Sequence, residues 1–369
     1  MWRRLKALIV KELLAVLRDP RSRMILIVPP ILQLFVFAYA ATMEVRNADI
    51  AVLDRDRGAW SQELVNRIDG TPTFRTILAV DTPAALRRAI DLQQVLLAVE
   101  IGPSFSRDIA AGRPADLQVI LDGRRSNASQ LAGSYLQQIV GGMAADAASP
   151  SGTASRPEAA VPRFWFNPAL DTQWFMVPNL IAVIAVLIGL IVTGLSIARE
   201  RELGTFDQLL VSPLRVHEIL IGKTVPSLLI GFVHCSFYLL VALVWFGLPL
   251  RGSLPMFYAA VFFYLLALIG IGLFISALSA TQQQAILGSF LFMIPATLMS
   301  GFATPIDNMP EWLQPVTFLN PLRYFIIIVR GVFLKGLPLD EMLRNTAPLA
   351  LIALVTLSAA AWMFRRRME

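Results

Sequence analysis

Residues 176–198 read MVPNLIAVIAVLIGLIVTGLSIA, and residues 199–224 continue RERELGTFDQLLVSPLRVHEILIGKT. The first stretch runs 23 residues without an Asp, Glu, Lys or Arg. A helix needs about 20 mainly apolar residues to cross roughly 30 Å of hydrocarbon, so this stretch predicts a membrane-spanning helix. The second stretch, dense in charge, predicts the loop that leaves it.

Working outward, five further runs have the same character: about 24–43, 225–248, 255–280, 284–304 and 346–364, none with an Asp, Glu, Lys or Arg. Only 16% of the 369 residues are charged and 56% are hydrophobic, where soluble chains average about 25% charged. The fold class expected is therefore an α-helical integral membrane protein with six transmembrane helices. The formal charge of +6 does not point to nucleic acid, because much of the excess flanks the spans and sets their orientation instead. Cys235 is the single cysteine, which excludes an intrachain disulfide and a Cys-x-x-Cys metal site.

Basic residues crowd into 1–23 (Arg3, Arg4, Lys6, Lys11, Arg18, Arg21, Arg23), into 199–223 (Arg199, Arg201, Arg215, Lys223) and into Arg365–Arg367. With six crossings all three fall on one side, so both termini are expected in the cytoplasm and 44–175 outside. Ala38-Tyr39-Ala40 has the form of a signal-peptidase site, but the basic lead-in and Pro29-Pro30 favour a retained anchor. In residues 1–23, Trp2, Leu5, Ile9, Leu13 and Val16 share one helical face and Arg4, Lys11 and Arg18 the other. That predicts an amphipathic helix in the headgroup plane, or simply a basic anchor.

The chain then divides into a first span at 24–43, an external domain at 44–145, a linker and return segment at 146–175, the remaining five spans within 176–364, and a tail at 365–369. In the external domain, β-like runs at Ile50–Leu53, Phe74–Val80, Val95–Ile101 and Leu117–Leu121 alternate with helical ones at Ser61–Ile68, from Thr82 through Asp91, at Phe105–Ala111 and from Ser126 to about Ala145. This predicts a small α/β domain, serving substrate gating, contact with a periplasmic partner, or structure alone. Residues 309–335 are apolar but interrupted by Pro310, Pro315, Asn320-Pro321 and Arg323, which suggests re-entrant or interfacial helices packed against protein.

Within the loop 199–224, Thr205 can cap a short helix through about Val211, closed by Pro213. Such a helix suits insertion into a groove on another protein, with Leu209 and Leu210 in the groove and Glu200, Glu202 and Asp207 toward a basic rim; a solvated charged turn has the same spacing. Gly222-Lys223-Thr224 imitates the end of a phosphate-binding loop, but position 217 is His where that motif needs Gly. No cofactor is expected to bind this chain directly.

Several stretches resemble one family. Glu200-Arg201-Glu202-Leu203-Gly204-Thr205-Phe206-Asp207-Gln208-Leu209-Leu210-Val211-Ser212-Pro213-Leu214 resembles the Glu-Arg-Glu…Gly-Thr…Glu-Gln-Leu…Pro-Leu signature of type-2 ABC exporter permeases, with Asp207 where Glu is usual. Ser300–Leu313 (including Pro305, Asn308 and Pro310), Asn320-Pro321-Leu322-Arg323-Tyr324-Phe325 and Arg330-Gly331 are similar to that family's stretch after the fifth span. Lys11-Glu12 with Arg18-Asp19-Pro20-Arg21, Asp122-Gly123 through Tyr135, Asn167-Pro168 and Met176-Val177-Pro178 resemble other parts of the subgroup with a large external domain.

The resemblance implies a bacterial inner-membrane permease paired with a second copy or a paralogue, each docked on a separate ATPase that holds ATP and Mg. The coupling residues would be Glu200, Arg201, Glu202, Gly204, Thr205, Asp207, Gln208, Leu209, Leu210 and Pro213. An external gate would form at 305–335, through Pro305, Asn308, Pro310, Asn320, Pro321 and Arg323. Membrane lipids and a periplasmic adaptor are the other implied partners. Export of an amphipathic, drug-like or lipid-like substrate by alternating access follows; the alternative is an ion-coupled secondary transporter, which would have to use His234. A buried neutral histidine bonded to a neighbouring helix is the plainer reading of that residue.

Overall fold

The computed structural model describes residues 2–40, 48–71, 73–147, 171–206 and 215–366. Most of the linker at 146–175, and Asp207, Gln208, Leu209, Leu210 and Pro213 of the loop, lie outside the described residues. The chain forms two compact units, Met1–Ala41 with Phe164–Glu369, and Thr42–Arg163.

The second unit is built on a four-stranded sheet. Strand β1 (Ala48–Asp54) is parallel to β2 (Phe74–Ala79) and β3 (Leu97–Ile101), while β4 (Leu117–Leu121) runs antiparallel to β3, in the order β2-β1-β3-β4. Successive side chains of a strand point to opposite faces, and both faces here are covered. Ile50, Val52, Leu97 and Val99 pack with residues of α3 (Ala59–Asp69), α5 (Phe105–Ala110) and α6 (Ser126–Ala147). Ala51, Leu53 and Ala98 pack against Leu86 and Ala89 of α4 (Pro83–Asp91). Thr82 caps α4, its hydroxyl accepting the Ala85 N–H at 3.1 Å, and Asp54 closes the turn after β1 by accepting the N–H groups of Asp56 and Arg57 and the Ser61 hydroxyl. The α/β alternation read from the sequence is present, each element ending within about three residues of its expected place.

The first unit is helical: α1 (Trp2–Arg18), α2 (Pro20–Ala40), α7 (Thr172–Glu202), α8 (Val216–Val244), α9 (Leu254–Leu278), α10 (Gln282–Leu298), α11 (Pro321–Arg330) and α12 (Leu339–Arg366). Helix α7 is buried along most of its length and packs against α2, α8, α9, α10 and α11. Small residues let the axes approach: a Cβ on Gly272 of α9 would lie 1.8 Å from Thr193 Oγ1 of α7, and one on Gly270 would lie 2.8 Å from the Leu357 backbone nitrogen of α12. Inside the bundle the Tyr264 hydroxyl donates to the Ala182 carbonyl at 2.9 Å.

Four described helices, α7, α8, α9 and α12, are long and apolar enough to cross a membrane, and α1 with α2, bent by 65°, adds a fifth if the pair is one span. The expected count of six is therefore not reached among the described residues. The shortfall lies at 284–304, where α10 has 17 residues, about 26 Å of helix and less than the hydrocarbon thickness. It stops because Gly301 turns left-handed at φ +83° and Pro305 follows.

Helix α1 packs one face against the rest of this unit. Leu5, Leu8 and Glu12 are its buried residues, while Trp2 is 72% exposed. Leu8 fills the space opposite Gly222 of α8, where a Cβ would come within 2.3 Å of it. The face chosen from apolar spacing alone omitted Glu12, which is buried because it has a cationic partner.

Pro29 and Pro30 sit inside α2. A proline has no N–H to give the carbonyl four residues back, so Pro30 leaves that of Leu26 without its helical donor. The ring of His234 on α8 occupies the position of that donor, with Nε2 3.1 Å from the Leu26 oxygen and Nδ1 2.9 Å from the Ile230 oxygen.

Candidate functional site: the charged end of helix α7

Helix α7 continues past its apolar stretch to Glu202 and is stopped by Gly204, whose φ of +69° only glycine adopts without strain. The Gly204 N–H returns to the Arg201 carbonyl at 3.0 Å and the Thr205 N–H to the Glu200 carbonyl at 2.9 Å. Four consecutive charged residues on this last turn each grip a different part of the unit.

Glu200 is buried, its two oxygens accepting from Lys11 Nζ of α1 at 2.5 Å and from Lys223 Nζ of α8 at 2.8 Å. Lys223, whose side chain is wholly buried, also donates to Glu12 at 3.1 Å and to Ser196 Oγ at 3.0 Å, and Ser196 donates to Glu12 at 3.1 Å. The group holds as many lysines as glutamates, so its formal charge is zero. Removing charges from water costs several kcal/mol each, and here each ion meets an opposite one at hydrogen-bond distance. The cluster borders a cavity of about 270 Å³, also lined by Ala15, Leu26, Leu195 and Ser227.

Arg201 donates to the carbonyls of Ala277 and Ser279, at 2.8 and 2.9 Å, where α9 ends, the place where a cation complements the helix dipole. Its guanidinium also lies 4.9 Å over the Phe206 ring, which meets Phe364 of α12 edge-on. Glu202 accepts the Gln282 N–H at 2.8 Å at the start of α10, where an anion is favoured. Arg199 pairs with Asp19 and reaches the Ala15 carbonyl at the end of α1. The turn thus touches α1, α8, α9 and α10 directly. Glu200, expected toward a partner's rim, is turned inward instead.

The segment 305–335 forms 3₁₀ turns at Ile306–Asn308 and Gln314–Leu319, then α11, then a π turn at Gly331–Lys335. Pro305 precedes the first turn, and the Pro310 carbonyl accepts the Leu313 N–H at 2.8 Å. Asn320 caps α11 by accepting the Leu322 N–H at 3.1 Å, and its amide donates to the Ala296 carbonyl near the end of α10 at 2.7 Å. Pro321 occupies the first helical position, where its missing N–H costs nothing. Arg323 donates to the Thr317 hydroxyl and lies 4.2 Å over the Phe318 ring. At the other end of α11, Arg330 donates to Asn179 at 2.7 Å and lies over Phe175 of α7.

Glu12, Ser196 and Lys223 were not among the residues expected at the site. Their signal was one of position: Lys223 is a lone cation at the mouth of an apolar run, and such a residue needs a partner.

Residues 21–362 match the family described as ABC-2 family transporter protein. The chain belongs to that family, as a multi-pass membrane subunit of an ABC transporter. It is 45% identical over 367 residues, the full length of both chains, to a protein of Escherichia coli (strain K12) named "Probable multidrug ABC transporter permease YbhR". It is 31% identical over 369 residues, 98% of this chain and 95% of the other, to "Probable multidrug ABC transporter permease YbhS" of the same organism. "Inner membrane transport permease YhhJ", also of Escherichia coli, is 29% identical over 332 residues, 89% and 87% of the two chains.

Proposed function

We propose that this chain is the permease subunit of an ATP-driven exporter, moving an amphipathic, drug-like or lipid-like substrate outward across the bacterial inner membrane. The observation that carries the reading is the last turn of α7, where Arg199, Glu200, Arg201 and Glu202 bind the ends of four other helices immediately before the loop 203–214. A force applied to that loop reaches α1 and α8 through ion pairs and α9 and α10 through hydrogen bonds between charged side chains and backbone, in place of a flexible joint. Leu209, Leu210, Asp207, Gln208 and Pro213 are the proposed contacts to a separate ATPase, which would hold ATP and Mg. Closing of two ATPase copies would draw the loops of two permeases together and tilt the helices between inward-open and outward-open states.

In this reading α2 and α10 complete six crossings. Both termini are cytoplasmic, 44–145 is a periplasmic domain, and 305–335, with Pro305, Asn308, Pro310, Asn320, Pro321 and Arg323, is the external gate. The basic flanks support the orientation, and the names of the full-length relatives support the substrate class. A second permease copy or paralogue, a periplasmic adaptor and membrane lipids are the remaining proposed partners.

The test is co-purification in detergent with an ATPase encoded nearby. The native chain should retain it, whereas Asp207→Arg and Gly204→Pro should lose it while keeping native elution and helix content. Normal ATPase retention by both variants would reject the loop as the coupling element and return attention to an ion-coupled carrier.

A further inference from the structure

The bend between α1 and α2 leaves a groove of about 530 Å³ against α8, within the range of roughly 300–1,000 Å³ that small-ligand sites occupy. Leu13, Leu17, Ile27, Ile31, Val233 and Phe237 form its walls. No lining residue is acidic; the charged one is Arg23, which is exposed at the bend. Asp19, the neighbouring carboxylate, is paired with Arg199, so Arg18 and Arg23 leave the bend basic. The exposed apolar residues beside it on α1 (Val10, Leu14, Leu17) would be in contact with water unless a membrane covers them.

We propose that this groove holds an acyl chain of an anionic phospholipid from the leaflet at α1, with the headgroup phosphate at Arg23. An apolar slot open to the side, with a cation at one end and no anion in its wall, matches a chain joined to an acidic head and disfavours a cationic amphiphile. The occupant packs between α1, α2 and α8 and fills space that no side chain takes. This proposal rests on the membrane location of the helices and not on the coupling role of the loop.

The full-length protein in detergent, given equimolar phosphatidylglycerol and phosphatidylcholine with the same acyl chains, tests it by native mass spectrometry. The native chain should retain phosphatidylglycerol several-fold over phosphatidylcholine. Arg23→Gln should cut that preference about fivefold, the effect of one basic residue at a lipid surface. Val233→Trp, which fills the slot, should lose both adducts, and Leu351→Trp, on the exposed face of α12, should lose neither. Arg23→Gln alters an exposed side chain, so its result stands even if Val233→Trp fails to fold. Equal retention of the two lipids, or a preference unchanged in Arg23→Gln, overturns the proposal. Equal adducts that Val233→Trp abolishes would show an apolar pocket indifferent to charge, and would overturn it as well.

Discussion

Lys223 is the residue on which the cluster at the end of α7 turns. Its side chain is wholly buried and its ammonium serves Glu12, Glu200 and Ser196 together. Replacing one member of a buried pair leaves an uncompensated charge and typically costs about 3–5 kcal/mol. Lys223→Met should fall near the lower end of that range, since Lys11 still reaches Glu200, and should appear as a lower denaturation midpoint of the purified protein. A triple exchange, Lys223→Met with Glu12→Gln and Glu200→Gln, should recover part of that loss. Asn320→Ala removes both a helix cap and the donor to the Ala296 carbonyl; a cap alone is worth about 1 kcal/mol, so the same assay should register 1–2 kcal/mol.

Among elements, α1 is held to α8 by the fit of Leu8 over Gly222 as well as by charge. Gly222→Leu places a side chain where Leu8 lies and should detach α1, read out as faster proteolysis within residues 2–18. An unchanged cleavage pattern would mean that the charges alone dock the helix. Gly222-Lys223, which in the sequence resembled part of a nucleotide motif, is thus a packing site followed by an ion pair. In the α/β unit, the Ser104 hydroxyl, and then the guanidinium of Arg113 at 2.7 Å, hold the Asp108 carboxyl below its usual range. A carboxyl with a depressed folded value adds stability above its unfolded value and loses it as pH falls through the folded one. Asp108→Asn should therefore lower the thermal midpoint of that unit at neutral pH, with the difference vanishing under strongly acidic conditions.

At the scale of the whole molecule, the Thr42–Arg163 unit has cores on both faces of its sheet, drawn from its own residues. Expressed separately, it should unfold in one cooperative transition by circular dichroism; a broad, non-cooperative change would deny it independence. Its strands were legible because Ile50–Leu53 and Leu117–Leu121 are short, mainly apolar runs bounded by turn residues such as Asp54 and Asp122-Gly123. The longest apolar runs were legible for the same reason. The length of α10 was not, since Gly301 shortens it by backbone conformation and not by polarity. Nor was the cluster at Lys223, whose partners Glu12 and Glu200 lie 211 and 23 residues away. Composition reports what a residue is, and only folding brings those carboxylates to it.

Pro30 and His234 have a consequence for how this bundle can vary. A helix with an interior proline has a gap in its own ladder, and here a second helix brings an imidazole nitrogen to 3.1 Å from the gap, where the Nε2–H tautomer fills it. The two substitutions are therefore conditional on each other. Exchanging His234 for leucine should harm the native protein more than one carrying Pro30→Ala, in which the N–H at position 30 can serve the Leu26 carbonyl. While the proline stays, α2 cannot slide or rotate against α8 by one residue without leaving a carbonyl unanswered in an apolar surrounding. In any cycle of movement the pair would travel as a single body, spliced at Leu26.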